Sequence, residues 1–169
     1  MSDTAVLMDG LRVTTCETDE ALAAASMLFD HYRHHYGQPP GGGERTLGWL
    51  TDMVRSNMLT VYTASVDSSP DAPPIGLATG HAVPASLVMG RFWQLRDLYV
   101  VPGSRRRGVA AALVSAVRDG ALAAGATRLS LVTEPDNDAA LGLYRNLGFG
   151  PVEGLASFSL DLAPEATGE

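Results

Sequence analysis

LRDLYVVPGSRRRGVAAALVSAV, residues 95–117, joins an apolar run rich in strand-forming residues to an alanine-rich run through a proline, a glycine and three consecutive arginines. The first part reads as a strand and the last as a helix closed by Gly125. A strand that passes straight into a helix N-terminus gathers several unpaired backbone N–H groups at one point, with the helix dipole behind them. That makes an anion site, and phosphate suits it. Gly108 lets the backbone approach a bulky anion without a Cβ in the way. Ala110, Ala111 and Ala112 allow a tight first turn, and Arg105, Arg106 and Arg107 add charge and forked donors matched to phosphate oxygens. The stretch therefore reads as a local pyrophosphate cradle, the plain alternative being a loop tip with solvated arginines. Two other nucleotide loops are excluded. No G-x-x-x-x-G-K-[ST] occurs, and Gly103 and Gly108 do not make a G-x-G-x-x-G fingerprint.

The arginine triplet stands out because the chain is acidic, with a formal net charge of −7 over 169 residues. Such a balance argues against a broad grip on nucleic acid and leans toward a cationic or amine-bearing partner. A length of 169 residues suits one domain, 1–169, able to bury roughly 70% of its unfolded surface. No apolar run approaches the ~20 residues that span a bilayer, so no membrane partner is expected. The opening MSDTAVLMDG lacks the charge and apolar core of a leader, and a cytoplasmic location is expected. The single cysteine, Cys16, allows no intrachain disulfide and reads as a small buried hydrophobe.

Outward from the opening stretch, strands are expected at 11–16, 58–66, 75–83, 91–101, 128–133 and 156–162. Helices are expected in 18–37, with Thr18 as N-cap and Gly37 as stop, and over a shorter segment carrying Leu47, Leu50, Met53 and Val54 on one face. Two more follow at 109–124 and 136–148, the last with Asn137 as N-cap and Gly148 just past its end. QPPGGGE (38–44) reads as a loop, as does the segment 67–74 with Pro70, Pro73 and Pro74; 164–169 reads as a frayed tail. The order implies an α/β (α+β) fold with helices covering a mixed sheet.

RRRGVA (105–110) resembles the [RQ]-x-x-G-x-[GA] acyl-CoA pyrophosphate loop of the GNAT superfamily of N-acetyltransferases. LRDLYVVP before it resembles that superfamily's central strand. EPDNDAALGLYRNLGF (134–149) is similar to its second half, N-x-x-A-x-x-L-Y-x-x-x-G-F, met by Asn137, Ala140, Leu143, Tyr144, Gly148 and Phe149. The two motifs fall in the family's order and spacing over about residues 91–150. The resemblance implies a mostly antiparallel sheet of six to seven strands with about four helices, its central strand splayed to admit CoA.

Residue by residue, it implies that backbone N–H groups across Arg105, Arg106, Arg107, Gly108, Val109, Ala110 and Ala111 hold the pyrophosphate of acetyl-CoA. Leu98 and Val100 would pair with the pantetheine arm, and Asn137 would contact it. The backbone N–H of Leu98 would stabilise the oxyanion formed when an amine attacks the thioester. Tyr144 would protonate the departing sulfur as general acid, although helical spacing with Ala140, Leu143 and Leu147 also suits a packing role.

Two positions where the family places a glutamate base hold Gln94 and Arg96, which leaves Asp97 as candidate base or amine anchor, with Glu134 a second carboxylate and a water chain the alternative. Asp97 could equally be a structural partner for Arg96 or for the arginine loop. Ala110 stands where glycine is commoner. His31 and His35 are spaced i, i+4, but no third ligand accompanies them and no metal is expected. His35, Tyr36 and the glycine-rich loop are expected to shape the acceptor pocket. The expectation is an acyl-CoA-dependent N-acetyltransferase acting on a small-molecule amine or a protein amino group, compatible with a homodimer. The alternative is a catalytically weakened CoA-binding module or regulatory protein of the same fold.

Overall fold

The computed structural model describes residues 8–39, 41–66 and 72–162. The expected turn at 67–74 lies mostly outside them, as does the tail at 164–169. The chain forms two compact units, Met1–Thr133 and Glu134–Glu169.

In the first unit the elements run β1 (Leu11–Thr15), α1 (Asp19–His35), α2 (Gly43–Arg55), β2 (Thr60–Val66), β3 (Gly76–Ala85), β4 (Gly90–Val100), α3 (Val109–Ala123) and β5 (Leu129–Ser130). Single turns of 3₁₀ helix at Ser86–Val88 and Pro102–Ser104 lead into and out of β4. The sheet order is β1-β2-β3-β4-β5, antiparallel throughout except for the parallel β4–β5 pair.

Local chemistry explains the helices. The Thr18 side chain accepts from the Ala21 N–H (3.2 Å), and Asp19 and Glu20 complement the dipole in the first turn of α1. At its other end Gly37 takes φ +71°, so that Gly37 N–H donates to His34 O (3.0 Å) and Gln38 N–H to Arg33 O (3.0 Å). That is a Schellman close, and Gly125 ends α3 the same way.

The sheet is covered on both faces. Leu22, Ala25, Leu28 and Phe29 of α1 and Leu50 of α2 form one core with Val61, Leu77, Tyr99 and Cys16. On the opposite face α3 buries Val109, Leu113, Val114, Val117 and Ala121. Gly76 permits that contact. A Cβ there would lie 2.9 Å from both Leu113 Cδ1 and Val109 Cγ1.

Among the described residues five strands stand where six to seven were expected. The strand foreseen over 128–133 shortens to Leu129–Ser130, and residues 156–162, although alternating, form no strand. Alternation supplies a face but not a partner, and a strand needs both.

The second unit contains α4 (Asp138–Asn146). Asn137 caps it, its side chain accepting from Ala140 N–H (3.2 Å). Gly148, at φ +90°, closes it by donating to Arg145 O (3.0 Å), while Phe149 N–H donates to Tyr144 O (3.0 Å). The Tyr144 and Phe149 rings meet edge to face at 5.7 Å, the apolar contact that accompanies such a close. The spacing Y-x-x-x-G-F is thus a helix terminus as well as a sequence signature.

Candidate active site

The central feature is the parting of β4 from β5. β4 pairs with β3 over its whole length, from Val100 opposite Gly76 to Gly90 opposite Ala85. With β5 it pairs only at Trp93↔Leu129 and Gln94↔Ser130. Beyond Gln94 the β5 side of β4 carries no strand partner among the described residues.

A bulge sets what that open side presents. Thr79 faces Asp97 and Gly80 faces Leu95, so Arg96 is an extra residue in β4. Trp93 N–H donates to Arg128 O (2.7 Å) on the β5 side, whereas Val101 N–H donates to Ile75 O (3.0 Å) on the β3 side. Eight residues apart on a regular strand, these amides would point the same way. The bulge reverses them. In consequence Leu98 and Val100 turn their backbone groups away from β3, into the gap. Val100 O is already engaged there by Arg105 Nε (2.9 Å), whose guanidinium lies 5.9 Å from the Tyr99 ring centre.

Past β4 the backbone of the arginine loop is left-handed twice, at Arg106 (φ +58°) and at Gly108 (φ +81°). Ala112 N–H makes the first bond of α3, to Gly108 O (3.0 Å), so the N–H groups of Val109, Ala110 and Ala111 stand ahead of the helical ladder. Among the described residues no side chain caps this end. Arg105, Arg106 and Arg107 are all exposed around it.

Asp97 lies on the α1 face of β4. Tyr32 Oη donates to its Oδ1 (3.0 Å), and Thr79 Oγ1 donates to its Oδ2. The structural partners expected for this carboxylate were arginines; the structure gives it two hydroxyls instead. An aromatic group extends from it: Tyr99 lies 6.0 Å from Tyr32 and 6.1 Å from His35, and Tyr36 packs edge-on against both.

The first unit therefore brings together Asp97, Leu98, Val100 and the loop Arg105–Ala111. Asn137 and Tyr144 belong to the second unit, as cap and as third residue from the end of α4. Sequence reasoning missed Tyr32 and Thr79 as ligands of Asp97, and it passed over His81. His81 sits on β3 opposite Gln94, and burial, then Arg96, push its imidazole below the ordinary 6.5 while Asp97 opposes them. A lone histidine in IGLATGHAV carries no local signal; only the β3–β4 register reveals its neighbours.

A mostly antiparallel sheet whose fourth strand parts from a short parallel neighbour and runs into an open helix N-terminus defines a class of acyl-CoA enzymes. The model of the acetyltransferase (GNAT) family matches residues 25–149, and the chain belongs to that family; it is an acetyltransferase. It is 30% identical over 152 residues to the uncharacterized N-acetyltransferase YhfO of Bacillus subtilis (strain 168), covering 90% of this chain and 98% of that one. The crystal structure of a probable acetyltransferase superposes with a TM-score of 0.81 at 27% identity, covering 91% and 99%. The aminoglycoside N-acetyltransferase AAC(6')-Iy in complex with CoA shares the fold at a TM-score of 0.69 and 19% identity, over 92% and 99% of the two chains.

Proposed function

We propose that the protein moves the acetyl group of acetyl-CoA to a primary amine by direct attack, without a covalent enzyme intermediate. The observation that carries this reading is the junction of β4 and α3. Two left-handed residues and three N–H groups ahead of the helical ladder converge just beyond a strand whose next neighbour has parted from it. Such a nest favours a pyrophosphate, and Arg105, Arg106 and Arg107 surround it. Gly108, Val109, Ala110 and Ala111 then supply backbone donors, and Leu98 and Val100 pair with the pantetheine arm, the latter by exchanging its bond with Arg105.

In this reading the backbone N–H of Leu98 faces the thioester carbonyl and stabilises the oxyanion as the amine adds. Tyr144 hands its phenolic proton to the departing sulfur, and Asn137 contacts the cofactor arm. Asp97, fixed by Tyr32 and Thr79, anchors the acceptor ammonium by charge. The family match runs across both compact units, which supports one catalytic domain over residues 1–169. A net charge of −7 and the aminoglycoside acetyltransferase among its structural relatives support a cationic small-molecule amine as acceptor.

Calorimetry with acetyl-CoA tests the reading at its root. The wild type should bind, and Arg107→Glu combined with Gly108→Asp should abolish binding without unfolding the chain. A folded wild type that binds neither acetyl-CoA nor CoA would overturn it. Given binding, Tyr144→Phe should lower kcat about 100-fold with an amine the wild type acetylates, leaving the acetyl-CoA affinity in place.

A further inference from the structure

We propose that His81 is the base that removes the proton from the acceptor ammonium, a role that rests on the acetyl-transfer reading above. Register puts it there. His81 faces Gln94 across the β3–β4 pair, and Gln94 is the last residue of β4 to pair with β5, opposite Ser130. The histidine thus stands in the row where the gap between β4 and β5 begins.

Alternation along β3 gives it the same face as Thr79, whose hydroxyl binds Asp97, and hence the α1 face of the sheet. The side chain is half-buried. The charged groups that reach it are Arg96 and Asp97, both on β4 and both at the bulge. From α1, Tyr32 reaches the same cluster through Asp97.

The chemistry divides naturally between the two titratable side chains. Asp97 has both oxygens engaged by the hydroxyls of Tyr32 and Thr79, which fix its carboxylate in place as an anchor for a cation. His81 is kept neutral near pH 7 by burial and by Arg96, so a ring nitrogen offers a lone pair to a proton. Once protonated, the imidazolium gains the attraction of Asp97 next to it.

The step balances as follows. One ammonium proton passes to the His81 ring nitrogen, and the freed pair on the amine forms the C–N bond to the thioester carbon. The C–S bond breaks with its pair on sulfur, which takes the Tyr144 proton. The second proton leaving the new amide nitrogen restores the phenol through solvent, and the imidazolium releases its own to water. His81 supplies the base missing from Gln94 and Arg96.

The test compares the wild type with His81→Gln and His81→Ala, using acetyl-CoA and a panel of primary amines that includes an aminoglycoside and a polyamine, from pH 5 to 9. Wild-type kcat/KM should fall on an acid limb below 6.5. His81→Gln should lose that limb and about 100-fold in kcat, with unchanged affinity for acetyl-CoA. Added imidazole should restore part of the His81→Ala rate, which a merely structural residue would not allow. Variants that fold, bind acetyl-CoA and keep the wild-type rate and profile overturn the proposal while leaving acetyl transfer intact. If the wild type binds acetyl-CoA but turns over none of the panel, the His81 ring titration by NMR in that complex decides. A midpoint below 6.5 that rises in Arg96→Gln supports the base; a midpoint at or above 6.5 overturns it. Failure to bind acetyl-CoA at all removes the underlying reading instead.

Discussion

At the residue scale, much of the candidate site depends on backbone that few side chains tolerate. Gly148 sits at φ +90° and lets Phe149 close onto Tyr144, both through the backbone and ring to ring. A Cβ meets no atom of the described residues there, so the penalty of Gly148→Ala is conformational, about 1–2 kcal/mol. Denaturant unfolding should show that loss, and under the proposed acid role of Tyr144 kcat should fall with it. Unchanged stability would mean that the terminus does not hold the tyrosine. Arg96 offers a test of opposite character, since it is exposed and its effect on His81 is electrostatic. Its charge disfavours the imidazolium, so Arg96→Gln should raise the His81 midpoint toward 6.5 and shift the acid limb of kcat/KM to higher pH. A limb that stays in place, or moves down, would show that the charge does not reach the imidazole.

At the scale of elements, the covering of β3 and β4 explains why α3 points its N-terminus where it does. Gly76 is the contact that permits this, with Val109 and Leu113 lying where a side chain would go and Tyr99 O only 3.3 Å from the place a Cβ would take. Gly76→Val should therefore displace the first turn of α3, costing about 1–3 kcal/mol and weakening acetyl-CoA binding together with stability. Loss of stability without loss of affinity would separate the helix from the anion site. The same elements show how far sequence reading reaches. The helix over 18–37 and the strand over 91–101 were legible because caps and alternation are local, and they emerge as Asp19–His35 and Gly90–Val100. The turn into α3 was legible from Gly108, which takes φ +81° just before the helix starts at Val109. RLSLVT shrank to two paired residues, and ASFSLDL formed no strand, because pairing depends on a distant partner that periodicity does not name. The bulge at Arg96 was hidden for the same reason. It exists only in the register between two strands, and it decides the direction in which Leu98 and Val100 present their backbone.

At the scale of the whole molecule, burial of titratable groups sets the pH range in which the fold is stable. Cys16 is 1% exposed within the core between α1 and the sheet and shares a 3.4 Å hydrogen bond with Thr63 Oγ1. Burial pushes its thiol above the ordinary 9.0 despite that bond, and burial alone pushes the Tyr62 phenol above 10.0. Tyr62 lies under α3 at Gly120, where a Cβ would collide with its hydroxyl. In the unfolded chain these groups ionise at their ordinary values, whereas in the fold they stay protonated to higher pH. Stability is thus fully present below pH 9 and declines as pH rises beyond it. His81 acts at the other end, since its lowered value makes the unfolded chain bind the proton first and costs stability as pH falls below 6.5. A denaturant midpoint followed from pH 5 to 10.5 should form a plateau that slopes away on both sides. Cys16→Val removes an ionising group while keeping an apolar one in the core. It should start lower at pH 7, for want of the Thr63 bond, and fall less steeply between pH 9 and 10 than the wild type. Parallel curves above pH 9 would show that the thiol does not contribute to the alkaline limb and would leave Tyr62 to account for it.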